Sequence, residues 1–213
     1  MPPLWPTKAG LPFETQSNEL TRACHRLENM ETDCVEKSSP ELRAELSRLT
    51  HPAEDAELEW LDFQIREIAA LNEWHPHSVA LHTPSTDATA KMNCFTYALD
   101  IDPDAISDMC LGKVFPGSEF VSTLMRSALC ATDGAETGGI VLYLDSANLP
   151  RHAGKIGGGG RIISKWGACR THIWEHGLWE VPIEYGDEAR FFECPTPGMA
   201  AQCYLTWAKA KGL

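Results

Sequence analysis

Apolar residues recur three and four apart along the first half of the chain. Past the middle they run two apart or continuously, so helices should precede strands. Residues 1–15 are rich in proline and read as an arm or loop. Ser17 to Met30 and Pro40 to Leu49 fit two short helices, with Pro40 well placed in a first turn after Ser38 and Ser39. A stronger helix is predicted from Pro52 to about Trp74: Leu58, Leu61, Ile65 and Ile68 form its apolar stripe, Thr50 can cap it, and Glu54, Asp55, Glu57 and Glu59 favour its N-terminal end. That stripe reads as packing rather than as a partner groove.

Residues 75–91 read as a loop, Cys94 opens a short apolar helix, Pro103 begins another, and Ser118 to Ala131 predicts a third, closed near Gly134. Three strands follow, at Ile140–Leu144, around His152 in Arg151–Ile156, and at Gly160–Trp166. Gly157 to Gly160 lie between the last two and can supply the positive φ angles of a hairpin turn. A phosphate-binding loop is the alternative, but no G-K-[ST] follows and strands flank the glycines on both sides. Glu188–Glu193 suggests a further strand and Met199–Lys211 a closing helix. Helices first and an antiparallel sheet afterwards predict the α+β class, with an N-terminal helical extension over residues 1–90 and a core over 91–213.

Composition narrows the partners. The 213 residues carry 18 Lys and Arg against 30 Asp and Glu, a formal charge of −12, which suits neither nucleic acid nor anionic lipid. No apolar run approaches a membrane span, and the first residues lack the basic start and apolar core of a secretory signal. The expectation is a protein that is cytoplasmic as synthesised and that could be exported only by a route needing no such peptide. The 8 cysteines include no C-x-x-C pair, which argues against a zinc ribbon or thioredoxin motif and for reduced thiols. No cofactor is expected.

Cys94 carries most of the chemical information. Asn93 reads as the N-cap, which places the thiol at the positive end of a helix, where thiolate is favoured and the pKa should fall. His152 stands on a later strand, and a helix Cys followed by a strand His is an order that supports acyl transfer, with Cys94 as nucleophile and His152 as general base and then acid. Ser164, twelve residues past His152 across the glycine turn, could orient the imidazole, and His172 is the second candidate for that role. The Cys94 amide would supply one oxyanion donor. Asn93, Tyr97 and Trp166 are the expected substrate contacts.

Two histidine groupings invite a metal reading. His75, His77 and His82 have no standard zinc spacing. The segment His172-Ile173-Trp174-Glu175-His176 fits H-x-x-E-H, which on a helix would place two zinc ligands on one face with Glu175 as base. Gly167, Gly177 and Pro182 leave that helix little room, and only 37 residues follow to supply a third ligand. No metal is assigned.

The order of helix Cys94, strand His152-Ala153-Gly154, glycine turn and polar Ser164 resembles the NlpC/P60-type papain-like cysteine hydrolases over roughly residues 90–192. In that family the Cys usually follows an Asp and precedes a Ser-Gly pair, and the third position is His, Asn or Gln; here Asn93, Phe95-Thr96 and Ser164 stand instead. Ser164-Lys165-Trp166-Gly167 and Glu180–Gly186 are similar to a bacterial branch of such domains. The resemblance implies a papain-like core and hydrolysis of an amide or isopeptide bond, commonly in peptidoglycan stem peptides. Some relatives are interbacterial toxins or effectors, each neutralised by an immunity protein. Protease, deamidase or transglutaminase action on a protein uses the same chemistry, and a non-enzymatic interaction protein retaining the shell is the remaining class.

Overall fold

A computed structural model describes residues 37–50, 58–107, 116–167, 171–196 and 198–213. The helix read over Ser17–Met30 lies outside the described residues, as does the start of the long helix after Pro52. Residues 37–213 form one compact unit.

In chain order this unit contains α1 (Pro40–Thr50), α2 (Leu58–Leu71), β1 (Ala80–Thr83), α3 (Asp87–Ala90), α4 (Cys94–Ala98), α5 (Pro103–Ser107) and α6 (Ser118–Ser127). Next come β2 (Ala131–Thr132), β3 (Ile140–Leu144), β4 (Pro150–Ile156), β5 (Ile162–Lys165), β6 (Ile173–His176), β7 (Glu188–Phe192) and α7 (Met199–Lys211). The seven strands make a single sheet in the order β1-β6-β5-β4-β3-β7-β2, and every neighbouring pair is antiparallel. The protein is therefore α+β, with helices packed on an antiparallel sheet.

The central strand β3, Ile140-Val141-Leu142-Tyr143-Leu144, is buried throughout, as a strand covered on both faces must be. Its even positions and Ala153 pack with Phe95, Ile106, Phe120, Val121, Leu124 and Tyr204 from α4 to α7. Its odd positions, Val141 and Tyr143, face the other way and join Leu42, Leu46 and Leu49 of α1, Ile68 of α2, and Trp166 and Trp174. So α1 and α2 are part of the same packed core as the strands, covering the face opposite α4.

The glycine run closes the β4–β5 hairpin as a short 3-10 turn over Gly158–Gly160, with Gly159 at φ 66° and Gly160 at φ 71°, angles that favour glycine. The sequence reading differs in several places, among them a short helix at Asp87–Ala90 within the expected loop. Ala80–Thr83, expected as loop, is an edge strand paired with β6. The helix expected to reach Ala131 stops at Ser127, and Ala131 instead begins β2 beside Phe192. The last four residues of the H-x-x-E-H segment form β6, a strand entered just after His172, with Trp174 and His176 turned to the α1 side and Glu175 to the other. A strand separates the motif's glutamate from its histidines by a face, so the helical zinc arrangement does not form.

Candidate functional site

Asn93 adopts extended backbone and caps α4: its Oδ1 accepts from the Thr96 amide at 2.8 Å, while the Thr96 hydroxyl accepts from the Asn93 amide at 2.8 Å. The Asn93 Nδ2 donates to the Pro116 carbonyl at 2.8 Å. The expected N-cap is present, and the same bonds occupy the amide that was expected to meet substrate. Tyr97, one turn on, lies under the Lys155 ammonium, 5.0 Å from its ring centre. Together with Thr89, Met92 and Asp100 these two line a shallow hollow of about 300 Å³ beside α4.

Cys94 is partly exposed and is a free thiol, as are Cys130, Cys194 and Cys203. Its thiol is pushed up to about 12 by burial, against the pull of the Ala153, Phe95 and Cys94 amides and the Lys165 charge. The depression expected from the helix end is thus reversed. A five-residue helix has a small dipole, and loss of hydration outweighs it. The Ala153 amide is free to face the sulfur because the β4–β5 ladder pairs Lys155 with Ile163 and Ile156 with Ile162 and goes no further. Lys165 is fully buried at the end of that parting, where its ammonium donates to the hydroxyl and carbonyl oxygens of Thr171.

His152 immediately precedes Ala153, yet its side chain leaves the strand on the other face, paired with Tyr143. It is 0% exposed. Neither Nδ1 nor Nε2 has a hydrogen-bond partner among the described residues, the Cys94 sulfur included. The ring stacks on Tyr185, centroids 3.8 Å apart and planes 7° from parallel. Burial, reinforced by the neighbouring His176, holds it well below the usual imidazole range, so it is neutral. The structure therefore sets the Cys94 sulfur against Ala153 and turns His152, the residue before it, to the other face of β4, with no bond between the two. Tyr185 stacks on the imidazole, and burial raises its phenol well above the ordinary range.

Ser164 does not orient His152. Its Oγ lies 2.7 Å from His176 Nε2 and accepts from Trp166 Nε1 at 3.0 Å. His176 Nδ1 lies 2.8 Å from the Gly177 carbonyl, which can only accept. Nδ1 therefore carries the proton, and Ser164 donates to Nε2. Burial lowers His176 to about 4, and every member of the Trp166–Ser164–His176 chain is satisfied while it is neutral. Trp166, expected against substrate, is 0% exposed and belongs to the core. His172, the second candidate for orienting His152, spends both nitrogens on backbone: Nδ1 accepts from the Ser85 amide at 3.0 Å and Nε2 donates to the Leu61 carbonyl at 3.1 Å.

Among the described residues, His77 and His82 serve local structure. His77 Nε2 donates to the Ile68 carbonyl at 2.9 Å and its Nδ1 accepts from the Val79 amide at 3.1 Å, tying the end of α2 to β1. His82 meets the Thr83 hydroxyl. Among the described residues no three His, Cys, Asp or Glu side chains converge as metal ligands, and no helix is long and apolar enough to cross a membrane. Sequence reasoning missed Tyr185 and Lys165. Glu184-Tyr185-Gly186 carried one usable signal, a glycine needed where the chain doubles back. A lysine between Ser164 and Trp166 in a buried strand was the other.

No protein-family model, curated protein or solved structure matches the chain.

Proposed function

We propose that the protein is a cysteine hydrolase that attacks an amide or isopeptide bond, with Cys94 as nucleophile and His152 as general base and acid. One observation carries this reading: a fully buried imidazole with both nitrogens unpartnered, at the residue next to the amide that faces a helix-start thiol. Buried polar atoms are nearly always bonded, and leaving one bare costs about 1–3 kcal/mol. His172 and His176 obey that rule; single buried atoms of Gln64, Ser85, Ser122 and Trp174 also lack a partner among the described residues, and His152 is the residue that leaves two.

In the resting protein the pair is neutral, because burial raises the thiol and lowers the imidazole. Proton transfer must then accompany attack. As the Cys94 Sγ bonds the carbonyl carbon, its proton passes to His152, and the oxyanion is stabilised by backbone amides at the start of α4. The imidazolium returns that proton to the leaving amine, giving a thioester. Water, deprotonated by His152, then releases the acid and restores the thiol. The step requires Sγ and a ring nitrogen to come within hydrogen-bond reach when substrate binds, and because the two rest on opposite faces of β4 the imidazole or the start of α4 must move to allow it.

The NlpC/P60 resemblance orders the substrates: a peptidoglycan stem peptide first, a protein glutamine or peptide bond second. It also makes an exported toxin with an immunity partner the natural setting. The test is incubation with purified muropeptides and with a glutamine-containing protein, followed by mass spectrometry. Cleavage or deamidation by the wild type, abolished in Cys94→Ala with the fold retained, is the expected result. Full activity in Cys94→Ala would falsify the assignment.

A further inference from the structure

Resting on that reading, we infer that Tyr185 is the positioning residue of His152, and that Arg43 of α1 holds Tyr185 in place. In thiol hydrolases the imidazole plane must be fixed for one nitrogen to meet the sulfur. Here no hydrogen bond from the described residues fixes it. What touches the ring is the Tyr185 face at 3.8 Å and 7°, with the Tyr143 ring centre farther off at 5.7 Å. Stacking takes over the task that Ser164 and His172, both bonded elsewhere, do not perform.

Tyr185 is itself held at three points. Its hydroxyl accepts from the Gly167 amide at 3.1 Å. Gly186 follows at φ 110°, and a Cβ there would stand 2.2 Å from the Leu144 carbonyl, so glycine alone lets the turn press against β3. The third point is Arg43, only 4% exposed. Its guanidinium brackets the Ile183–Tyr185 turn from both sides. Before the turn it donates to the Val181 carbonyl (3.2 Å) and the Pro182 carbonyl (3.4 Å). After the turn it donates to the Gly186 carbonyl (2.6 Å) and the Asp187 carboxylate (2.7 Å). Ser47, one turn along α1, accepts from the Ile183 amide at 3.0 Å and donates to Glu184. A rigid planar fork spending its donors on four acceptors around one tyrosine is a clamp that lysine cannot reproduce. It makes the N-terminal helix a component of the site and not an appendage to it.

The test measures iodoacetamide labelling of Cys94 by mass spectrometry and the His152 imidazole proton signals by NMR, in wild type, Tyr185→Phe, Tyr185→Leu, Arg43→Met, Arg43→Lys and His152→Phe. A ring face stacked on His152 shifts its signals upfield. Arg43→Met leaves Tyr185 in the chain but should release it, so the upfield shift should shrink and labelling should slow about tenfold, a barrier change of about 1.4 kcal/mol. Tyr185→Leu should slow labelling as much, Tyr185→Phe should restore it, and Arg43→Lys should fall between. Wild-type labelling in Tyr185→Leu, where His152→Phe is slow, overturns the role of Tyr185; faster labelling overturns it too, since the ring would then be a cover. An unchanged upfield shift in folded Arg43→Met overturns the clamp. If His152→Phe itself labels normally, it is the hydrolase reading that fails, and the Arg43→Met spectrum still decides the clamp.

Discussion

His152 and His176 stand on the same face of one sheet, with β5 between their strands, and both are fully buried and held neutral. Around His176 every donor meets an acceptor, from the Trp166 indole through Ser164 to the Gly177 carbonyl. Around His152 there is an aromatic face, and among the described residues nothing for either nitrogen to bond. Burial and a depressed pKa are thus common to both, and only the bonding separates them. A satisfied histidine explains itself as structure; an unsatisfied one has a free-energy cost that some other requirement must offset.

The largest effect should come from replacing His152 with phenylalanine, which keeps the ring and its stacking but removes the nitrogens. Loss of a general base should lower hydrolysis by roughly 10²–10⁴-fold. Stability should not fall with it, because two unbonded polar atoms leave the core: denaturant unfolding should give an unchanged free energy or one higher by about 1 kcal/mol. A clear loss of stability would mean that His152 has bonds of its own and that the contrast with His176 is false.

Acid should act on both histidines in the same direction. Their folded pKa values lie below the unfolded value of about 6.5, so the unfolded chain binds more protons between that pH and the folded pKa. The stability they contribute is complete above about pH 6.5 and is lost as pH falls toward about 4, the value for His176. For His176 alone the shift corresponds to about 3 kcal/mol. Urea unfolding at intervals from pH 7 to pH 4 should show a steeper decline in wild type than in His176→Gln, which cannot titrate. Parallel curves would show that His176 accepts a proton in the folded state as readily as in the unfolded one.

The two histidines also show how far the sequence could be read. The long buried run of β3, the glycine turn and the Asn93 cap are local features, and each was legible. Ser164 was singled out for standing twelve residues past His152, but it stands twelve before His176 as well. The count could not choose between them. Register chose: Ser164 pairs with Trp174 and Ile162 with His176, which puts the hydroxyl diagonally beside the later imidazole. β6 was obscured because its histidines and glutamate mimic a helical metal motif, and β1 because its four residues lie among prolines and polar residues. The thiol pKa was misread for another reason. Helix position is written in the neighbouring residues, whereas desolvation depends on strands contributed by residues such as Ala153, 59 positions downstream.

The smallest effect isolates the satisfied network. Ser164→Ala leaves the Trp166 indole without an acceptor and His176 Nε2 without a donor in a dry core. Unfolding free energy should fall by about 1–3 kcal/mol, the penalty for stranded buried groups. Because Ser164 touches His176 and not His152, Cys94 labelling by iodoacetamide and any hydrolysis should stay within about threefold of wild type, a change of less than 1 kcal/mol in the barrier. The opposite pattern, intact stability with lost activity, would mean that the hydroxyl turns to His152 when substrate binds. The two imidazoles would then share one serine, and the division between a structural and a reactive histidine would hold only at rest.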